Sequence, residues 1–157
     1  MTRTERLAAW LYLAAAVIYT ADRLTKVWAE NSLAHRAPVK VIPGVLSLDF
    51  TTNSGGAFGI GGSAPLLFAG ATIAVASVIV AASFRLSRPA LAIALGLVLG
   101  GALGNLTDRI IRGPGFSGRV VDFIDFHVWP VFNVADSAIV IGAALILLSS
   151  LADREKG

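Results

Sequence analysis

Three carboxylates in the C-terminal third of the chain could run a hydrolysis. Asp122 and Asp125 lie in the stretch Val120-Val121-Asp122-Phe123-Ile124-Asp125-Phe126, and Asp136 follows inside an apolar run. Two carboxylates a few ångströms apart cannot both ionise easily, so one pKa rises and the pair shares a proton. The charged member then activates water as general base, and the neutral one donates a hydrogen bond to a scissile carbonyl. Other chemistries lack their groups. There is no cysteine, and His35 and His127 are the only histidines. That leaves no thiolate, no metal-ligand cluster and no histidine beside a convincing serine. Metal-free hydrolysis without a cofactor is the expectation.

Polar groups near a membrane are costly, so those beside the apolar runs are informative. Asn105, Asp108 and Arg109 are three and four apart and share a helix face. Gly96, Gly100 and Gly104 continue that face as a small-residue stripe that lets another helix approach closely. A purely structural reading makes Asp108 and Arg109 an interfacial ion pair. Asp136 sits roughly 6 Å inside the run that begins at Phe132, where an unpaired carboxylate costs several kcal/mol. It must be protonated, paired or facing a wet cavity, with Asn133 one turn above it. Its structural reading is a hydrogen bond to a neighbouring helix. Asp22 and Lys26 are spaced for an intrahelical pair of a few tenths of a kcal/mol and are expected to shape the site rather than act in it.

The elements that carry these groups follow from composition. The chain has 157 residues, 55% hydrophobic and only 15% charged, against roughly 25% charged in soluble domains. Its mean hydropathy is +0.74. This argues against a water-soluble domain and against disorder. A single integral-membrane domain over residues 1–157 is expected. Its spans fall at about 7–28, 65–83, 90–108 and 132–151, with outer loops at about 31–64 and 109–131. The first span has a basic start like a signal peptide. No clean small-residue cleavage site follows, and the helical pattern continues through Asp22 and Lys26, so it reads as a retained helix. Arg3, Arg6, Arg85, Arg88, Arg154 and Lys156 fall on one side, which is then cytoplasmic and holds both termini. The net charge of +3 reflects such flanking residues rather than nucleic-acid binding. No internal repeat is visible, against transporters built from duplicated halves.

The outer loops have their own pattern. Leu46, Leu48 and Phe50 alternate with polar residues after a Pro43-Gly44 turn, which reads as a small sheet at the membrane surface. Thr51 to Phe58 carries Gly55 and Gly56, and could bind an extended peptide or simply return into span two. If residues 120–126 form a strand, Asp122 and Asp125 point to opposite faces; if a helix, they share one.

These residues together resemble the bacterial lipoprotein signal peptidases, the signal peptidase II family. The resemblance covers nearly the whole chain. It rests on Asp22-x-x-Thr25-Lys26, Asn53-x-Gly55-x-x-Phe58, Gly100-Gly101-x-x-Gly104-Asn105-x-x-Asp108-Arg109, Val120-Val121-Asp122-Phe123 and Phe132-Asn133-Val134-Ala135-Asp136-Ser137. Gly56 departs from the family's usual alanine. The resemblance implies an α-helical membrane protein with four transmembrane helices and a small periplasmic β-sheet cradle in the first outer loop. It implies an intramembrane aspartic endopeptidase of the bacterial inner membrane, working near the outer leaflet. The substrate would be a prolipoprotein whose cysteine carries diacylglycerol, cut just before that cysteine. Asp122 and Asp136 would form the catalytic dyad. Asn53, Asn105, Arg109 and Asn133 would bind substrate. Asp22, Lys26, Gly55, Phe58, Gly104, Asp108 and Ala135 would support the site, with Asn53 to Phe58 as a mobile edge. The glycine stripe would leave space for the signal-peptide helix. Membrane lipid, and peptide inhibitors of the globomycin type, are the other implied partners. No nucleic-acid partner is expected from the charge pattern, and a self-contained site suggests a monomer. Rival readings are a proton-coupled transporter relaying through Asp136, an assembly factor using the glycine stripe, and a presenilin-type protease, whose Gly-x-Gly-Asp motif does not occur here.

Overall fold

The computed structural model describes residues 1–55 and 65–154. Phe58, and with it most of the expected mobile edge, lies outside them. The elements are α1 (Arg3–Leu33), β1 (Val39–Ile42), β2 (Leu46–Asn53), α2 (Pro65–Ser83), α3 (Pro89–Ile111), a short 3-10 turn (Pro114–Phe116), β3 (Val120–Asp125) and α4 (Val134–Arg154). All four helices are long and apolar enough to cross a membrane.

The helix ends show where local chemistry overrides hydropathy. α1 starts a turn before its apolar run because Thr2 caps it. The Thr2 hydroxyl accepts from the Glu5 N–H at 3.2 Å, and Glu5 accepts from the Thr2 N–H at 2.8 Å. α3 starts at Pro89, whose missing N–H costs nothing in a first turn. α4 starts at Val134 rather than Phe132. Phe132 is held outside the helix by a β-bridge to Ile124. This corrects the depth of Asp136, which lies in the first turn of α4.

α3 is the central helix and packs on α1, α2 and α4. Its glycines permit that on two faces. A Cβ at Gly96 or Gly100 would run into the Leu11 or Ala15 carbonyl of α1, and one at Gly101 into the Ala135 carbonyl of α4. The stripe is therefore filled by α1, and the expectation that it leaves room for a substrate helix is corrected. Leu7, Leu11, Ile79, Leu86, Ala92 and Leu99 close the core at one end of the bundle. The outward faces keep large apolar side chains such as Leu66, Phe84, Val140 and Leu147 exposed, as lipid contact requires.

At the other end lies an antiparallel sheet in the order β1-β2-β3. Its third strand comes from the second long loop, so the sheet joins both loops rather than belonging to the first alone. Ala29 and Leu33 at the end of α1 pack under Val121 and Phe123 of β3. Between Leu48↔Ile124 and Thr51↔Asp122 the β2–β3 register slips by a bulge. Bulges of this kind re-aim side chains beside active sites.

Candidate active site

Asp122 lies on β3 and Asp136 in the first turn of α4, and the short return between them sets their relation. The Phe132 carbonyl accepts from the N–H groups of Phe123 and Ile124 at 3.0 and 2.9 Å, and the Phe132 N–H donates to the Ile124 carbonyl at 3.1 Å. This folds Asn133 back beside Asp122. The Asn133 side-chain Nδ2 donates to Asp122 Oδ1 at 2.6 Å. Its Oδ1 accepts from the Asp136 N–H at 2.9 Å, and its own N–H donates to Asp136 Oδ2 at 3.3 Å. Asn133 and Asp136 thus form a reciprocal cap on α4. Asn105 on α3 donates from Nδ2 to the other oxygen of Asp136 at 2.7 Å. Both carboxylates are held by amides reaching from neighbouring elements.

The Asn105 amide is oriented by a buried lysine. Lys26 Nζ donates to Asn105 Oδ1 at 2.8 Å and lies 2.9 Å from Asp22 and 3.1 Å from Asp108. The ammonium thus orients the amide by a hydrogen bond and balances two buried carboxylates by ion pairing. Asp22 in turn accepts from the Ala135 N–H at 3.1 Å, and so supports the start of α4. Gly104 is required here, since a Cβ would press on the Asp22 carboxylate. Asp22 and Lys26 are fully buried. The expected exposed-type pair of a few tenths of a kcal/mol is therefore replaced by a buried network that depends on every partner.

Asp108 does not pair with Arg109. It accepts from Arg23, from Arg112 at 3.1 Å and from the Val121 N–H at 3.1 Å. Arg112 continues to Glu30 through two bonds of 2.8 and 3.0 Å. Arg109 turns the other way. Its Nη1 donates to the Asn105 carbonyl at 3.1 Å, and its guanidinium lies 5.9 Å from the Phe68 ring centroid. Its Nε is buried with no partner among the described residues. Gly55 holds a left-handed φ of 102° and abuts Phe68, so only glycine fits there. The Gly55 N–H donates to Asn53 Oδ1 at 2.7 Å and fixes the Asn53 side chain.

Three cavities meet at the pair. One of about 360 Å³ lies between α2, α3 and α4 and is lined by Asn53, Phe68, Ala102, Asn105, Arg109 and Asp136. A second of about 300 Å³ is lined by Trp129, Phe132, Asp136 and Val140. A polar one of about 280 Å³ is lined by Thr51, Thr52, Asn53, Ser54, Arg119 and Asp122. Asp136 thus opens towards apolar space and Asp122 towards polar space. Asp122 is only 1% exposed. Burial, aided by the nearby Asp136 carboxylate, pushes its pKa up to about 7, against the Asn133 and Asn53 amides and Lys26. A carboxyl so placed can hold a proton near neutral pH. Among the described residues no group of three or more His, Asp or Glu is placed to hold a metal.

The strand form of β3 separates Asp122 from Asp125. Asp125 faces His127 instead, accepting from its N–H at 2.7 Å and lying 3.1 Å from its Nδ1. His127 Nε2 is 3.1 Å from the Ser47 hydroxyl. A histidine therefore does lie beside a serine, though not beside one that a substrate can reach. The two are 80 positions apart, and only the β2–β3 pairing joins them. Ser47 is 3% exposed, so its hydroxyl ties the sheet to the following turn and is closed to a substrate. Arg23 and Arg119 were also outside the sequence reading, because no spacing rule points to their partners.

Comparison with known proteins adds to this geometry. The family model described as Signal peptidase (SPase) II matches residues 14–152. A lipoprotein signal peptidase of Streptomyces coelicolor is 45% identical over 150 residues, 95% of this chain and 74% of the relative. One of Pelotomaculum thermopropionicum is 38% identical, over 94% of this chain and 95% of the relative. A solved bacterial membrane enzyme superposes with a TM-score of 0.82 at 30% identity, covering 93% of this chain and 90% of its own.

Proposed function

The chain belongs to the signal peptidase II family, and from that membership we propose that it is a lipoprotein signal peptidase working through the Asp122–Asp136 pair. It is a multi-pass membrane peptidase by family and by its four apolar helices. The observation that carries the mechanism is the bridging of the two carboxylates by Asn133, whose side-chain amide donates to Asp122 and whose backbone N–H donates to the Asp136 carboxylate.

Asp122 holds the shared proton, supported by a pKa near 7 in a buried setting. Asp136, both of whose oxygens accept hydrogen bonds, is the base. A water between them gives a proton to Asp136 as its oxygen attacks the scissile carbonyl. Asp122 donates to the carbonyl oxygen as negative charge develops there. Collapse of the tetrahedral intermediate breaks the C–N bond, and the departing amine takes up the proton. Asn53 and Arg109, at the mouth of the cavity that reaches Asp136, hold the substrate chain. The bond cut is the one just before a diacylglyceryl-modified cysteine; the substrate arrives by lateral diffusion in the bilayer, and its lipid anchor keeps it in register. The sheet end faces outward from the bacterial cytoplasmic membrane, in keeping with Arg3, Arg6, Arg85 and Arg88 at the opposite end. One chain supplies every group, which suits a monomer.

The test is a cleavage gel of purified diacylglyceryl prolipoprotein with mass analysis of the product. Wild type should release a product that begins at the modified cysteine. Absence of cleavage, or equal cleavage of unmodified prolipoprotein, would overturn the reading.

A further inference from the structure

We propose that the open edge of β2 binds, by strand addition, the extended stretch of substrate that follows the cleaved bond, and that Arg119 selects its charge. The inference rests on the peptidase reading above.

The edge follows from the ladder. The Val121 N–H donates to Asp108 Oδ2 at 3.1 Å, and its carbonyl accepts from Asn133 Nδ2 at 3.2 Å. Both groups therefore point away from β2. Opposed residues in an antiparallel pair alternate between bonded and non-bonded. Thr52, the partner of Val121, must then turn its own N–H and C=O to the far edge. On that edge β1 registers only with Leu46, Ser47 and Leu48. Among the described residues no strand covers Thr52. Bare edges invite pairing and are normally blunted. Here Arg119, an exposed residue, donates from Nη2 to the Thr52 carbonyl at 2.7 Å.

The occupant follows from the cavities. Asp136 opens into space walled mainly by α2, α3 and α4, with Asn53 and Gly55 at its border, and Asp122 into the polar cavity along Thr51–Ser54 and Arg119. A peptide bond held across the pair has one flank in each. The apolar signal sequence suits the helical side. The hydrophilic chain after the cleaved bond suits the polar side, where Thr52 offers one donor and one acceptor to an extended peptide. A peptide N–H displaces Arg119 from the Thr52 carbonyl. The freed guanidinium stays beside the bound strand and pairs with a substrate carboxylate.

The experiment uses the full-length enzyme and diacylglyceryl prolipoproteins. Backbone N-methylation is placed at successive positions after the modified cysteine. Thr52 has one carbonyl to accept a substrate N–H, so strand addition predicts a KM raised about fivefold at one position, with kcat little changed, as for loss of one hydrogen bond. A flat profile would overturn the proposal. In a second arm, substrates with Asp or Lys next to the affected position are compared. Wild type should favour Asp about fivefold, and Arg119→Glu should invert the order. An unchanged preference in a variant of normal membrane yield would overturn the role of Arg119. Failure of wild type to cut any diacylglyceryl substrate would sink the peptidase reading, and the inference with it.

Discussion

The hydrogen bond of 2.6 Å from the Asn133 amide to Asp122 belongs to the same side chain that caps α4. Helix start and carboxylate pair are therefore one structure. A residue in this position cannot relax without moving Asp136 relative to Asp122. The relation explains why the return from β3 is so tightly tied at Phe132, since that tie delivers Asn133.

Replacing Asn133 tests this directly. The amide favours the charged form of Asp122, so its loss raises the Asp122 pKa further above 7. Asn133→Ala should shift the alkaline limb of the pH–rate profile upward, cut turnover by at least about tenfold, and cost ~1 kcal/mol of stability through the lost cap. The pH–rate profile and thermal unfolding in detergent measure both. A limb that stays in place would count against Asp122 as the group that holds the proton.

Asp122 also links pH to stability. Its folded pKa, about 7, lies above the ordinary carboxylate value of 3.8. Between these values the folded state binds more protons than the unfolded state, so stability falls as pH rises. Turnover should fall over the same upper limb, as Asp122 loses its proton. Asp122→Asn mimics the neutral form. It should abolish turnover, match wild type in Tm near pH 4, and exceed it by several degrees at pH 8. Equal Tm differences at both pH values would show that Asp122 is not held protonated.

Much of this site is legible in the sequence because its signals are local. α2 falls on the residues its uncharged run marks, Pro65–Ser83. Asn105, Asn133 and Asp136 stand out as polar groups where hydropathy disfavours them. What stayed hidden depends on long-range pairing. The spacing of Asp122 and Asp125 leaves strand and helix open, and the choice is made by β2, which is some 70 residues away at Thr51. The glycine stripe reads equally as a gap or as a contact, until α1 is seen to fill it. Arg23 and Lys26 both reach Asp108 across helices, so their partners have no spacing signature.

Asp125 serves as the control for the carboxylate assignment. It accepts from His127 and stands apart from the Asn133 bridge. Asp125→Asn should keep most activity and lose only a little stability at the Ser47–His127 tie. Asp136→Asn should be inactive at normal yield, because an amide cannot accept the proton of the water. A dead but folded Asp125→Asn enzyme, or an active Asp136→Asn one, would reassign the pair. Cleavage assays beside membrane yield read both.

Lys26 and Asn105 touch each other, yet their substitutions should fail in different ways. Lys26→Met removes the cation that lies between Asp22 and Asp108, both fully buried. Asp108 keeps Arg23 and Arg112, but Asp22 has no other cation among the described residues; breaking a buried pair in this way costs ~3–5 kcal/mol, enough to exhaust much of a marginal stability. Loss of protein from the membrane is the expected result, since Asp22 would also release the Ala135 N–H at the start of α4. Asn105→Ala is milder for the fold. Lys26 keeps both carboxylates, and Asn133 keeps Asp122. Asp136, however, loses the Nδ2 donor that holds it at 2.7 Å, and its carboxylate can turn away from the reacting water. Turnover should drop roughly 100-fold, a size typical for a misplaced general base, while yield stays near normal. If Asn105→Ala disappears from the membrane as Lys26→Met does, then Asn105 belongs to the scaffold, and Asp136 is held by its helix cap alone.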